Sequence, residues 1–395
     1  MRDFAPEPLI PTWCFVRQSD PRRYTTLSRV GITREFCLGN LVQAKQFGQA
    51  VDLKGPQGNQ ISERVEWATT NDGHQIALQR YSPEGETGRL PVLLVHGLGA
   101  NRHNFDLFGD EEALPRQLAR RGYEAFVVEV RGVGLSRAQR GHGREHGIEQ
   151  YLRYDMPATV EHILRSTGAP KLHWVGHSMG AMLGYIYGAS FGHHMQSLLA
   201  AAGPLPAAVP LPGKRLIRKL RHVIAGKRMQ RLELPNRLGV IAMKAVPPAL
   251  VRFAYDKLIF CSENMPDEFL EKFASSGIEN IPLSVLRRLG EWATPGSNFG
   301  GEMERALGGL YVNTLFLAAT YDPLCPPEVI EHARRMMPEG FARTRVISRE
   351  HGFEHDFGHG DLLASPAAKK CVFPLVLDFI EQQEALRIRD LIVRD

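Results

Sequence analysis

Paired cysteines are missing from this chain. Its five, Cys14, Cys37, Cys261, Cys325 and Cys371, are odd in number, widely scattered and never in C-x-x-C spacing. That argues against a disulfide framework or a structural zinc site and for a reducing compartment. Long apolar runs are missing too. The most apolar stretch, Leu198 to Pro212, is broken by Pro204, Pro206, Pro210 and Pro212, and is too short to span a bilayer. The opening residues, MRDFAPEPLIPTWCF, carry early acidic residues and three prolines where a secretory signal needs a continuous apolar core. A cytoplasmic protein is therefore expected. No internal repeat or low-complexity segment occurs. Charge is nearly balanced, with 48 Lys and Arg against 43 Asp and Glu, but it is unevenly placed. Residues 214–237 hold nine Lys or Arg against Glu233 alone, which leaves the rest of the chain slightly acidic.

What the chain does contain is 38 glycines and 26 prolines spread over 395 residues, enough turns for alternating strands and helices. Residues 1–61 read as an extension, with a helical pattern over Thr33 to Val51 and no evident chemistry. Arg64 to Thr70 and Gln75 to Tyr81 read as strands joined by Asn71-Asp72-Gly73, a hairpin signal. Pro91 to His96 and Tyr123 to Val130 are continuous apolar runs, as strands buried on both faces are. Glu111 to Arg121 and Ile148 to Ser166 have helical periodicity. Gln196 to Ala202, Asn313 to Ala319 and Arg343 to Ser348 complete the strands, with helices at Pro327 to Met337 and Pro366 to Gln383. Strands alternating with helices predict an α/β fold with a mostly parallel sheet covered on both faces. The alternation stops between 204 and about 305. That segment is expected to be a mainly helical cap, inserted between core parts 62–203 and 306–395.

The chemistry centres on Lys171 to Tyr187, KLHWVGHSMGAMLGYIY. A short apolar strand breaks at Gly176-His177-Ser178-Met179-Gly180 and resumes as an apolar helix. A serine on so tight a turn needs neighbours with almost no side chain, and Gly176 and Gly180 meet that need. The helix behind it directs its positive end at developing negative charge. A serine hydroxyl is a weak nucleophile, so it needs a base and a third group to orient that base. Asp322 follows the strand ending at Ala319 and suits the orienting acid, and the preceding strand exit, Gly203-Pro204-Leu205-Pro206, offers no carboxylate. The base is sought in Glu350 to Asp361, where His351, His355 and His359 lie four apart. Helical spacing of that kind can hold a metal, but Gly352, Gly358 and Gly360 oppose a helix. His359 is the preferred base and His355 the alternative. Backbone N–H groups of Met179 and of Leu98, in the loop His96-Gly97-Leu98-Gly99, are the expected oxyanion donors. Cys325, near Asp322, reads as a packed thiol, and His96 and His177 as packing or loop-orienting residues.

With VHGLG, GHSMG, ATYDPLCPP and FGHGDLL in this order, the chain resembles the α/β-hydrolase superfamily over about residues 62–383, the cap excepted. The hairpin and the His359-x-Asp361 ending resemble lipase and esterase members in particular. Serine at 178 departs from the dehalogenase and epoxide-hydrolase branches, which use aspartate there. The resemblance implies a serine hydrolase of carboxylic esters with lipophilic acyl chains, working through Ser178, His359 and Asp322 and needing no cofactor or metal. Thioesterase or acyltransferase chemistry on the same residues, and a non-catalytic ligand-binding protein on this fold, are the alternatives. Lys214 to Ala225 has an apolar stripe, Leu216, Ile217, Leu220, Val223 and Ile224, beside a basic face. Such a helix either packs on the core as a lid or lies on an anionic membrane surface through residues 214–231. Without interleaved aromatics, nucleic acid is not an expected partner.

Overall fold

The computed structural model describes residues 61–85, 88–137, 146–208, 233–234, 256, 259–294, 299 and 301–394. The expected N-terminal extension, the helix expected at Lys214 to Ala225 and the rest of the basic stretch to 231 lie outside these residues, apart from Ile61.

Eight strands form one sheet: β1 (Ile61–Thr69), β2 (Gln75–Pro83), β3 (Val92–Val95), β4 (Ala125–Glu129), β5 (Leu172–His177), β6 (Met195–Ala201), β7 (Asn313–Ala319) and β8 (Ala342–Ile347). Their order is β1-β2-β4-β3-β5-β6-β7-β8. The opening hairpin is antiparallel, β2 pairs antiparallel with β4, and the remaining pairs are parallel. The helices are α1 (Leu114–Arg120), α2 (Met156–Thr167), α3 (Met179–Phe191), α4 (Asp267–Lys272), α5 (Leu283–Trp292), α6 (Glu302–Gly308), α7 (Pro327–Met336) and α8 (Phe373–Arg394).

The apolar runs form central strands because both of their faces are covered. Leu93 and Val95 of β3 enter one core with Trp174 of β5, Met182 and Ile186 of α3, and Val160 of α2. Val92 and Leu94 enter the opposite core with Val175 of β5, Leu118 of α1, and Val376 and Ile380 of α8. The period-two alternation thus divides each strand between two layers of helix. Helix α3 is buried on nearly every side, so it is apolar all round rather than along one stripe.

Several boundaries differ from the sequence reading. Helix α8 runs on to Arg394, well past Gln383, because its last turns stay exposed and carry helix-favouring Glu, Leu and Arg residues. The long helix expected at 148–166 includes a wider turn over Tyr151–Asp155. The segment after 204 contains, among the described residues, α4, α5 and a two-residue antiparallel ribbon, Glu233–Leu234 with Ile281–Pro282. Helix α6 crosses the expected boundary at 305, and its Met303, Ala306 and Leu307 join the core that α3 also lines. No described helix is long and apolar enough to cross a membrane.

One buried cation ties the hairpin to the sheet. Arg131, directly beyond β4 and 2% exposed, donates to both carboxylate oxygens of Asp72 at 2.7 and 3.0 Å and to Asp155 at 2.7 Å. Burial alone would raise the Asp72 carboxyl, but hydrogen bonds from Arg131 and Thr70 outweigh it and hold the group at about 2. Glu66 is likewise held at about 2 against its burial by His162, Arg64 and Arg80. Both carboxyls sit below their unfolded values. Their stabilisation is therefore complete above the ordinary carboxyl range and is lost as pH falls toward 2. Melting temperatures measured between pH 5 and 2 should fall steeply. Asp72→Asn and Glu66→Gln should each flatten that fall, removing on the order of 1 kcal/mol of acid-sensitive stability after discounting solvent screening.

Candidate active site

Strand β5 ends at His177 and α3 begins at Met179, so Ser178 alone makes the turn between them. It does so at φ 51° and ψ −113°, a region that non-glycine residues seldom occupy. Its N–H donates to Ala201 O of β6 at 2.9 Å, which fastens the strained residue to the neighbouring strand. The two glycines expected around it are forced by backbone contacts. A Cβ on Gly176 would stand 2.5 Å from Ala181 N, and one on Gly180 would stand 2.0 Å from Val95 O at the end of β3. Helix α3 therefore rests directly on the strand that leads into the 96–101 loop. That loop in turn packs on the serine, since a Cβ on Gly97 would lie 3.3 Å from Ser178 Cβ.

Asp322 leaves β7 and is 1% exposed. One of its carboxylate oxygens accepts the Leu324 and Cys325 N–H groups at 2.9 and 2.8 Å. The other accepts from His359 Nδ1 at 2.7 Å. His359 Nε2 lies 2.8 Å from Ser178 Oγ, the hydroxyl donating to the ring nitrogen. Three residues that are far apart in the chain thus form one hydrogen-bonded line, buried at Asp322 and half-buried, hence reachable, at Ser178. The other two histidines of the loop are elsewhere. His355 lies beside Glu354 at 3.8 Å, and His351 Nδ1 meets Ser348 Oγ at 2.8 Å. Among the described residues no group of three or more His, Cys, Asp or Glu is arranged to hold a metal. Cys325 is fully buried, and burial followed by the nearby Asp322 charge raises its thiol well above the usual range.

His177 does more than pack. Its Nε2 donates to His359 O at 2.9 Å, and its Nδ1 lies 2.8 Å from Asn104 Oδ1, which also accepts the Gly97 N–H at 3.1 Å. Burial lowers this imidazole to about 3, so it carries one ring proton, which goes to His359 O, and the other ring nitrogen is in contact with the Asn104 side chain that holds the 96–101 loop. Asn104 has no motif around it, and nothing in the sequence marks it. A second Ser–His–carboxylate line also escaped the sequence reading: Ser197 Oγ at 2.7 Å from His173 Nδ1, and His173 Nε2 at 3.2 Å from Glu384. His173 and Glu384 are fully buried and Ser197 is 1% exposed. No substrate reaches that line, which serves to bind α8 to β5 and β6.

Comparisons with known proteins bear on the fold that carries this geometry. A family model described as the α/β hydrolase fold matches residues 91–357. The chain belongs to the α/β hydrolase fold family. Human gastric triacylglycerol lipase is 28% identical over 215 residues, covering 51% of this chain and 48% of that one. Lipase 1 of Drosophila melanogaster is 32% identical over 125 residues, covering 29% and 27%. The matches thus span about half the length of the human lipase and about a quarter of the fly one. A thermophilic esterase from Thermogutta terrifontis shares the fold at TM-score 0.54 and 20% identity, over 81% of this chain and 99% of that one. A thioesterase domain from the curacin biosynthetic pathway does so at TM-score 0.52 and 18% identity, over 80% and 99%.

In this α/β hydrolase, the elbow tolerates no added carbon on either side of the serine. Gly180→Ala should destabilise the fold by about 3 kcal/mol or more, at or beyond the upper end for overpacking, because the opposing atom is backbone. Urea denaturation against the wild type measures this. A change below about 1 kcal/mol would mean that α3 and β3 separate easily.

Proposed function

We propose that this chain is a serine hydrolase that cleaves carboxylic esters, with lipophilic acyl chains as its substrates. The observation that carries the proposal is the Ser178–His359–Asp322 line, with 2.8 and 2.7 Å contacts at a reachable hydroxyl. Ser178 Oγ attacks the ester carbonyl while His359 Nε2 takes its proton. Asp322 holds the Nδ1 proton and stabilises the imidazolium as it forms. The tetrahedral oxyanion is received by the Met179 and Leu98 N–H groups, at the head of α3 and in the 96–99 loop. Collapse expels the alcohol, which takes its proton from His359 and leaves an acyl-enzyme on Ser178. Water, deprotonated by the same histidine, then attacks the acyl carbon, and the acid leaves as His359 returns the proton to Ser178 Oγ.

The named activities of the relatives support the ester class, and those called triacylglycerol lipases support a lipophilic acyl group. Residues 204–305 serve in this reading as the cap over the carboxyl ends of the strands, and the acyl chain lies between cap and sheet. The basic stretch 214–231 belongs to this part of the sequence, and its composition suits an anionic lipid surface. The same three residues would also cleave a thioester. An acyl-thioester series run beside p-nitrophenyl esters of matched chain length separates the two leaving groups.

Wild-type protein should be labelled by a fluorophosphonate at Ser178, and Ser178→Ala should not. His359→Ala should lower kcat for a p-nitrophenyl ester by at least 10³-fold, and Asp322→Asn by about 10²–10⁴-fold, with Tm nearly unchanged for Ser178→Ala. Full ester turnover by Ser178→Ala would exclude the mechanism.

A further inference from the structure

The two loops that flank Ser178 are both rich in glycine: Gly97 and Gly99 on one side, Gly358 and Gly360 on the other. Glycine leaves the backbone conformationally free, so such loops take their shape from what they touch. In each case the contact is the same stretch of chain, Ile259 to Glu279, which comprises a short turn, α4 and the helical turn Phe273–Gly277.

At its start this stretch seizes the His359 loop. Ile259 O accepts the Gly360 N–H at 2.6 Å. Asn264 Nδ2 donates to Asp356 O at 2.6 Å and to Asp361 Oδ2 at 2.7 Å, and the second Asp361 oxygen accepts the Gly358 N–H at 2.9 Å. Asp361 is fully buried and Asn264 is 2% exposed. A carboxyl so placed is costly unless donors surround it. Burial raises Asp361 to about 6, while Asn264 and backbone N–H groups, those of Gly358 and Cys261 among them, oppose that rise. Contact is close enough that a Cβ on Gly358 would lie 2.8 Å from Phe260 Cα. Outside this knot, Arg349 reaches Glu263 at 3.1 Å.

At its end the stretch seizes the 96–101 loop. Ala100 and Ile278 form an antiparallel bridge, and the Glu279 N–H donates to Gly99 O at 2.8 Å. Asn101 Nδ2 donates to Ser276 O at 2.6 Å and to Glu279 Oε1 at 3.1 Å, with Asn101 and Glu279 both buried. Between the two ends, Phe269 of α4 packs edge-on against Phe108, with ring centroids 5.3 Å apart.

We propose that Ile259 to Glu279 is a strap that sets the spacing between the base loop and the oxyanion loop, with Asn264–Asp361 and Asn101–Glu279 as its two fastenings. Asn264, Asp361 and Asn101 are then positioning residues for His359 and for the Leu98 N–H. The catalytic part of this inference rests on the serine-hydrolase reading above; the mechanical part does not.

Asn264→Ala, Asn101→Ala and Asp361→Asn test it in the full chain, with hydrogen exchange and acylation measured side by side. Cutting one fastening should loosen the far loop: amide exchange over 357–361 should rise at least tenfold in Asn101→Ala, and over 97–101 in Asn264→Ala. Exchange that rises only beside the substituted residue overturns the strap. With p-nitrophenyl acetate, a substrate too small to need much of the cap, each variant should lower the acylation rate per folded molecule at least tenfold while KM changes less than threefold. The Asn101→Ala/Asn264→Ala double variant should lose less than the product of the single losses, since one strap is cut twice. Acylation at the wild-type rate, or a rise in KM alone, overturns the positioning role. If wild type itself is not acylated at Ser178, the serine-hydrolase reading and the positioning role built on it both fail, and the exchange result decides the strap alone. Should Asn264→Ala not fold, Asn264→Ser, which leaves a small polar group, carries the same measurements.

Discussion

Backbone-on-backbone contact at the β5–α3 turn is the constraint from which the rest follows. Ser178 keeps its unusual torsions because Gly176 is pressed against Ala181 and Gly180 against Val95, leaving the turn nowhere to relax. The strain is offset by cooperative packing of the apolar helix behind the turn and by the hydrogen bond to Ala201 of β6. With that turn in place, the hydroxyl has one direction to face, and the loops after β3, β7 and β8 are the ones that can reach it. The parallel order of the central strands brings all three loops to the same edge of the sheet.

Charge is handled differently on the two sides of that edge. Along the β1–β2 hairpin, Asp72 and Glu66 stay ionised well into acid because arginines and a histidine supply donors to them. Near the Ser178 hydroxyl the buried imidazoles run the other way. Burial lowers both His177 and His96, so the His177 ring, tilted against that of His359, is uncharged. The two lines of Ser, His and carboxylate differ in exposure, one ending at the half-buried Ser178 and the other buried throughout. Their serine–imidazole contacts are alike, at 2.8 and 2.7 Å, while the imidazole–carboxylate contact is 2.7 Å in one and 3.2 Å in the other; access to the serine is what separates them.

Much of this was legible in the sequence wherever the signal was local. Apolar runs such as Val92 to Val95 can only be central strands, and Asn71-Asp72-Gly73 can only be a tight turn between strands. The elbow announces itself because two glycines must stand at fixed offsets from a serine. His359 was separable from His355 and His351 only by its place before Gly360 and the closing helix, which is weak evidence, and the distances to Ser178 and Asp322 now distinguish it geometrically. What the sequence did not reveal is long-range and polar. Asn104, Asn101 and Asn264 sit in no periodic pattern, and each matters through a partner many positions away. Ile281 and Pro282 pair with Glu233 and Leu234 across a stretch whose periodicity is helical, so a two-residue ribbon left no trace.

The chain order of the hydrogen-bonded line has a consequence for synthesis. Ser178 and His359 are 181 positions apart, and at ribosomal rates of about 5–20 residues per second that interval lasts on the order of ten seconds or more. During it, a nascent chain can complete β5, the elbow and α3 while possessing neither Asp322 nor His359. Through that interval the elbow serine stands without the imidazole that lies 2.8 Å from its hydroxyl in the finished fold. The serine gains its partner only when β7, β8 and the loop that follows them have been made and added to the far side of the sheet.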